Sequence, residues 1–366
     1  MRAIRVFLRK IDKALVISTV LLFLIGLSFL YSTTYQRELV FLEKYTIRQL
    51  AWFIVGLILA GVLLKINYIR FIDFSYPLYF LTILMLLLVL LVGDIILGAQ
   101  RWLEVGGFAF QPSEFAKIVI IIVLANYLGK NRLRMYSIKT ITFSFILISV
   151  PMFLILKQPD LGTAITLFAI LFSMLFVSGI KIKHLAAITG IGISALPILW
   201  HFLKPYQKSR LLVFLNPNLD PLGAGYTIRQ SKIAVGSGML LGKGWQSGTQ
   251  NILNFLPERH TDFIFSVVGE EVGFIGALCV LLLFFIIIKQ GIKIAYSTND
   301  IYGRLLAVGI VSMIIFHIFV NISMTIGLMP VVGIPLPLIS YGGSSLVITL
   351  IAISILLNIK INRPIF

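Results

Sequence analysis

The sequence predicts an all-α polytopic membrane protein of about ten transmembrane helices, with a large extracytoplasmic loop between helices 7 and 8. Three observations carry this. Charged residues make up 12% of the 366 positions, about half the share of an average soluble domain and too little to cover a water-facing surface. Mean hydropathy is +1.01. Apolar runs of spanning length recur along the whole chain, and they are continuous rather than alternating, which argues against a lipid-facing barrel. A disordered chain, a disulfide scaffold and an ordinary cytosolic enzyme are excluded by the same composition.

The runs fall near 14–31, 50–64, 75–93, 114–128, 140–157, 163–180, 185–203, 264–288, 304–328 and 345–359. The second, fourth and last are short, and must borrow flanking residues or sit in thinned bilayer. Arg2, Arg5, Arg9 and Lys10 precede the first run, as basic residues precede a signal peptide. The stretch LSFLYSTTY at 27–35 offers no small-x-small cleavage site, so the run is expected to stay as the first helix. The chain 1–366 reads as one membrane domain with the 204–262 loop inside it. A loop of that length is usually functional. The lone Cys279 sits in an apolar run and has no partner cysteine.

The formal charge of +17 is the signature of basic loops that set topology, not of nucleic-acid binding. With the N-terminus inside, inner segments hold 18 Lys and Arg against 5 outside, leaving out the long 204–262 loop with 7. Both termini are therefore expected in the cytoplasm. Only Asp12, Asp73 and Asp300 of the acids fall inside, so polar chemistry is expected at the outer face.

Several motifs fail. GSGMLLGKG at 236–244 has the wrong spacing for a phosphate-binding loop and reads as a glycine-rich bend. His184, His201, His260 and His317 are scattered without metal-ligand spacing. The acceptor-like triplet Asn321-Ile-Ser323 lies inside a span.

Other constellations survive. Glu258, Arg259, His260 and Asp262 crowd the end of the long loop. Asp262 sits at the membrane surface beside Phe263 and Phe265, where partial desolvation makes a carboxylate a stronger base. The alternative is an N-cap for the helix that follows. Glu114 and Lys117 share a helix face at the start of the fourth span, as a cavity lining or a structural ion pair. Arg101 has the planar fork that chelates phosphate, and Trp102 can anchor at the interface. Asp160 sits in a short outer turn, QPDLG, which is also ordinary turn chemistry. Arg229 and Lys232 resist the topology bias and share a face if their segment is helical; an anionic ligand and acidic headgroups are both open. MPVVGIPLPLISYGGSS at 329–345 is too apolar for a water-exposed loop and is expected to dip into the membrane. His317, Asn321 and Thr325 form a polar stripe toward neighbouring helices.

Taken together, GAQRWL at 98–103, QPSEFAK at 111–117, QPDLGTA at 158–164, GYTIRQSKIAVGSGMLLGKGWQSGTQ at 225–250, FLPERHTDFIFSVVGEEVG at 255–273 and GLMPVVGIPLPLISYGGSSL at 327–346 resemble the SEDS family (shape, elongation, division and sporulation) of bacterial peptidoglycan polymerases. PERHTDFIF and GAQRWL resemble its elongation branch more than its division branch. The resemblance implies lipid II as substrate, polymerised into β-1,4 glycan in the bacterial inner membrane with the active site outside. It maps the family's essential aspartate onto Asp262. Turning an α-linked pyrophosphate into a β-link inverts the anomeric carbon, so one base and charge stabilisation on the leaving group suffice. Asp262 is the candidate base. Arg101, Arg229, Lys232, Lys243 and Arg259 are candidate phosphate contacts, and Trp102, Glu114, Lys117, Asp160, Glu258 and His260 complete the candidate substrate-binding set. A divalent cation could share the pyrophosphate charge, but no dedicated acidic cage is evident. The implied partners are a class B penicillin-binding protein transpeptidase and other elongation-complex membrane proteins. The rival reading is a lipid II flippase, whose polar path Glu114, Lys117, His317 and Asn321 could line; a scaffold and the division branch are the others.

Overall fold

The computed structural model describes residues 11–34, 39–96, 99–105, 108–134, 137–202 and 205–362. The basic N-terminal residues Arg2, Arg5, Arg9 and Lys10 lie outside the described residues. In chain order the helices are α1 (Lys13–Thr34), α2 (Leu39–Lys65), short α3 (Tyr68–Asp73), α4 (Ser75–Val92), α5 (Pro112–Lys130), α6 (Ile138–Lys157), α7 (Leu161–Ser178) and α8 (Ile182–Phe202). The large loop carries α9 (Pro205–Leu215), α10 (Ala224–Ser237) and α11 (Thr249–Ile252), and α12 (Ile264–Ser297), α13 (Ile301–Thr325) and α14 (Gly343–Asn362) complete the chain.

A helix stands at each of the ten predicted runs. Nine of these helices are long and apolar enough to cross a membrane among the described residues. The remaining one, α8, offers only the shorter apolar stretch Ile182–Ser194 there. The runs that read as short do borrow from their flanks: α2 has 27 residues, α5 has 19 and α14 has 20.

The helical membrane fold expected from the sequence is present, with one small β element added to it. Between α4 and α5 the chain forms a three-stranded antiparallel sheet, with β1 (Asp94–Ile96), β2 (Ala99–Val105) and β3 (Phe108–Phe110) in the order β1-β2-β3. Glycines at 98, 106 and 107 interrupt the segment, and its β-branched and aromatic residues suit strands.

The core is built around α5, which buries nearly every residue from Pro112 to Gly129, and around α13 and α14. At the edge, Phe23 of α1 stacks on Phe53 of α2 with ring centroids 3.6 Å apart. Gly26 of α1 lies against the 338–339 backbone, where a Cβ would come within 2.6 Å of Ile339 Cα. That contact seats the apolar 326–342 loop inside the helix bundle.

The eighth span is broken at Gly273, whose φ of 64° and ψ of −162° suit only glycine. The glycine-rich bend 238–244 fills the break. Phe274 N donates to Met239 O at 2.8 Å and Ile275 N to Leu240 O at 3.1 Å. In the other direction, Lys243 N donates to Glu270 O and Gly244 N to Glu271 O, both at 3.0 Å. The backbone groups freed by the break are thus paired within the protein, as a low-dielectric setting requires.

Candidate active site

Asp262 ends the long loop just before α12. The cap position of that helix is Phe263, and no side chain caps it. The capping role left open by the spacing is therefore not what this carboxylate does. It is partly buried and faces Gly333, where a Cβ would stand 3.5 Å from Oδ2. Gly333 itself has φ of +78°, so a side chain there would be strained as well as close to the carboxylate. Glu258, Arg210, Arg101 and Asp160 are the charged groups around it. Burial, then the nearby Glu258, push Asp262 up to about 6, while Arg210 and Arg101 pull the other way.

The backbone beneath Asp262 is held from α13. Asn321, fully buried, donates its amide to Asp262 O at 3.0 Å and to Ile334 O at 2.8 Å. The 326–342 loop is strapped to the same segment twice more: Ser340 Oγ donates to Thr261 O at 2.6 Å, and Tyr341 N donates to His260 O at 2.9 Å. Gln49 of α2 reads the far end, donating to Ser340 O and accepting from Gly342 N. The apolar loop is therefore the wall of the site.

Arg101 projects from β2. It donates through Nε to Gln158 O at 3.0 Å and through Nη2 to Pro159 O, holding the turn before α7. Asp160, next in that turn, caps α7 through Thr163 N, and also accepts from Gln111, Ser113 and the Thr163 hydroxyl. Asp160 thus ties α5 to α7 while its charge acts on Asp262. Trp102 is half-buried on the same strand.

Other predicted site residues are committed elsewhere. Glu114 and Lys117 pair at 2.7 Å, both buried, and Lys117 Nζ also lies 3.1 Å from His317 Nε2. Lys243 is paired with Glu270 at 2.8 Å. Arg259 is buried and donates to Thr33 O and Asn251 O, fastening the loop to α1. His260 lies against the Tyr45 and Tyr341 rings. Glu258 is exposed and accepts from Thr261 Oγ1. Arg229 and Lys232 share the helical segment α10, both exposed. The Lys232 stem packs on Gly327, at the start of the apolar loop. Among the described residues no three His, Cys, Asp or Glu side chains converge as metal ligands.

Three features were missed by sequence reasoning. Arg210 of α9 acts on Asp262 and donates to Val331 O at 3.2 Å. The signal that picked out Arg229 and Lys232, a basic residue in an outer loop, applied to it equally. The stripe of His317, Asn321 and Thr325 predicts an interhelical contact, and Asn321 instead bonds the Asp262 backbone and the loop. Glu270 and Glu271 drew no role, although two acids inside an apolar span call for partners. Glu270 takes Lys243, and Glu271 accepts from Ser32 at 2.5 Å and Asn251 at 2.9 Å.

Burial of the Glu114–Lys117 pair yields a first prediction. Glu114→Ala leaves an uncompensated ammonium beside His317 and should destabilise the protein by roughly 3–5 kcal/mol, read as a lower unfolding temperature and less folded protein in the membrane. Glu114→Gln with undiminished stability but no activity would instead make Glu114 part of the chemistry.

Residues 13–364 match the family model for FtsW, RodA and SpoVE, described as "Cell cycle protein". Peptidoglycan glycosyltransferase MrdB of Escherichia coli (strain K12) is 41% identical over 317 residues, covering 86% of this chain and 85% of that protein. Stage V sporulation protein E of Bacillus subtilis (strain 168) is 39% identical over 363 residues, covering 95% and 96%. Among solved structures, a chain from a peptidoglycan synthase complex that coordinates polymerization and crosslinking superposes with a TM-score of 0.82 at 32% identity, covering 96% of this chain and 97% of that one. Rod shape determining protein RodA of Thermus thermophilus does so with a TM-score of 0.71 at 30% identity, covering 96% and 97%.

Proposed function

The chain belongs to the FtsW, RodA and SpoVE family, and from that premise we propose that it polymerises lipid II with Asp262 as general base. It is a peptidoglycan glycosyltransferase of the elongation type, built as a multi-pass membrane protein. The observation that carries the catalytic assignment is the setting of Asp262, a partly buried carboxylate that lies against Gly333, feels the charge of Arg101 and Arg210, and has no helix to cap.

The chemistry follows from that setting. The acceptor is a sugar 4-hydroxyl and the donor an α-linked pyrophosphate. Attack from the face opposite the leaving group forms the β-1,4 bond and breaks the anomeric C–O bond in one displacement. Asp262 takes the hydroxyl proton as the nucleophile attacks. A carboxylate near 6 is a stronger base than one at the ordinary value and is still ionised at neutral pH. Negative charge grows on the departing pyrophosphate, and Arg101 and Arg210, whose positive charge is felt at the carboxylate, are the cations to meet it. Arg229 and Lys232 on α10 offer further exposed cations for the lipid-linked phosphates. Lys243 and Arg259 contribute by holding the loop, through Glu270 and through the Thr33 and Asn251 carbonyls.

The active site faces outward and both termini lie in the cytoplasm. The support is the 18-to-5 bias of basic residues and the gathering of Asp262, Arg101, Asp160 and Arg210 at one end of the bundle. Ser247 and Ser297 are both exposed, in the long loop and at the far end of α12. With Cys279 replaced, Ser247→Cys should react with a membrane-impermeant thiol reagent added outside and Ser297→Cys should not. Equal labelling would overturn the orientation.

A class B penicillin-binding protein transpeptidase is the partner, since a polymerase alone makes uncrosslinked strands. The support is the similarity to a chain of a complex that coordinates polymerization and crosslinking. Co-purification from native membranes tests it, and full activity without such a partner would contradict an activating complex.

The direct test is Asp262→Asn, which keeps the shape and removes the basicity. General-base catalysis contributes about 10²–10⁴-fold, so polymerisation of purified lipid II should fall at least a hundredfold while lipid II still binds. A carboxylate whose folded pKa is raised costs stability once it ionises, so the Asn variant should also unfold at a higher temperature above pH 6. Near-normal glycan synthesis would refute the base assignment, and loss of lipid II binding would make Asp262 a binding residue.

A further inference from the structure

At the end of the bundle opposite Asp262, α1, α2 and α14 enclose an apolar groove of about 800 Å³. Its walls include Ile17, Phe53, Leu57, Gly61, Leu350 and Leu357. The two hydroxyls that line it are turned inward to helix carbonyls: Thr19 Oγ1 donates to Leu15 O at 2.7 Å and Ser354 Oγ to Ala60 O at 2.9 Å. The body of the groove therefore offers a ligand no hydrogen bond, and an apolar occupant costs nothing there. Lys13, exposed, stands at its mouth. The neighbouring Asp12 is neutralised by Lys360 at 2.7 Å, and Lys65 ends α2 on the same side. The mouth is thus cationic.

The depth selects the class of occupant. From Phe53 to Leu64 the groove follows α2 for about 16 Å at 1.5 Å per residue. One leaflet of a hydrocarbon core of about 30 Å is about 15 Å thick. A partner's spanning helix would need a track through both leaflets, whereas an acyl chain of one leaflet fits this length. At Gly61 a Cβ would meet nothing within 4 Å, so the helix surface there stands open to the groove. We infer that this groove is a binding site for an anionic phospholipid of the leaflet opposite the active site, with an acyl chain between α1, α2 and α14 and its phosphate at Lys13.

The inference does not depend on the catalytic reading and is tested apart from it. The full chain is purified and analysed by native mass spectrometry from bilayers of phosphatidylglycerol mixed with phosphatidylcholine. Wild type should retain phosphatidylglycerol with a preference of roughly fivefold, the attraction expected of one lysine at a membrane surface. Lys13→Gln, an exposed change, should retain both lipids equally. Gly61→Leu fills the open space and replaces glycine by a better helix former, so it should lose the retained lipid without a fall in unfolding temperature. Retention of phosphatidylglycerol by Gly61→Leu, or an unchanged preference in Lys13→Gln, would overturn the site. Displacement of phosphatidylglycerol by undecaprenyl phosphate would overturn the phospholipid assignment, and so would a co-purifying single-span protein whose binding Gly61→Leu abolishes.

Discussion

Backbone amides and carbonyls at membrane depth have no water to bond to, and each one left unpaired costs several kcal/mol. Wherever this chain leaves the helix inside the bundle, something must take up those groups, and the site is built from what does. Along the 326–342 loop, Asn321 donates to Ile334 O, and with the same amide to Asp262 O. At Gly273 the glycine-rich bend exchanges hydrogen bonds with both sides of the broken span. The first device places the carboxylate against the apolar wall. The second brings Lys243 to Glu270 and fastens the long loop to the broken span. Neither the wall nor the loop would hold its position if the backbone groups could be satisfied by solvent.

The charges divide by the same logic. Burying an ion is tolerated when a partner and further hydrogen bonds are supplied. Glu114 with Lys117, Glu270 with Lys243, and Arg259 on two carbonyls meet that condition, and Lys117, Lys243 and Arg259 each reach a second element through His317, Glu270 and the Thr33 carbonyl. Asp262 does not meet it. Its neighbours are of both signs, none caps or chelates it in a fixed pair, and burial outweighs the two guanidinium groups. An imperfectly compensated carboxylate is unfavourable for folding and useful for moving a proton. Arg101 and Arg210, each bonded to backbone on one side, keep positive charge beside it.

The spans were legible because apolar runs of helical length carry their own signal, and Asp262 was legible because a carboxylate at the edge of such a run is costly. The strands between α4 and α5 were not, since the segment 94–110 has no clean alternation and its turns are short. Pairing was the other blind spot. Lys243 looked like a phosphate contact because its partner lies 27 residues away across the broken span, and Arg259 because its acceptors are backbone carbonyls that no side-chain pattern reveals. Arg210 carries the same signal as Arg229 and Lys232, a basic residue in an outer loop, and only the folded loop singles it out by bringing its charge to Asp262. Charge and hydropathy announce which residues need an explanation, and the fold decides which of them are already neutralised.

The claim at the centre is that one desolvated carboxylate takes the acceptor proton. The most direct measurement is the pH dependence of lipid II polymerisation by the purified chain, set beside the titration of carbon-13-labelled aspartate carboxylates with and without Asp262. Activity should be full above the pKa and fall about tenfold per pH unit below about 6, and the aspartate signal absent from Asp262→Asn should titrate at that same pH. An activity that stays level through pH 5, or an Asp262 carboxylate that titrates near the ordinary value while activity falls at 6, would contradict it.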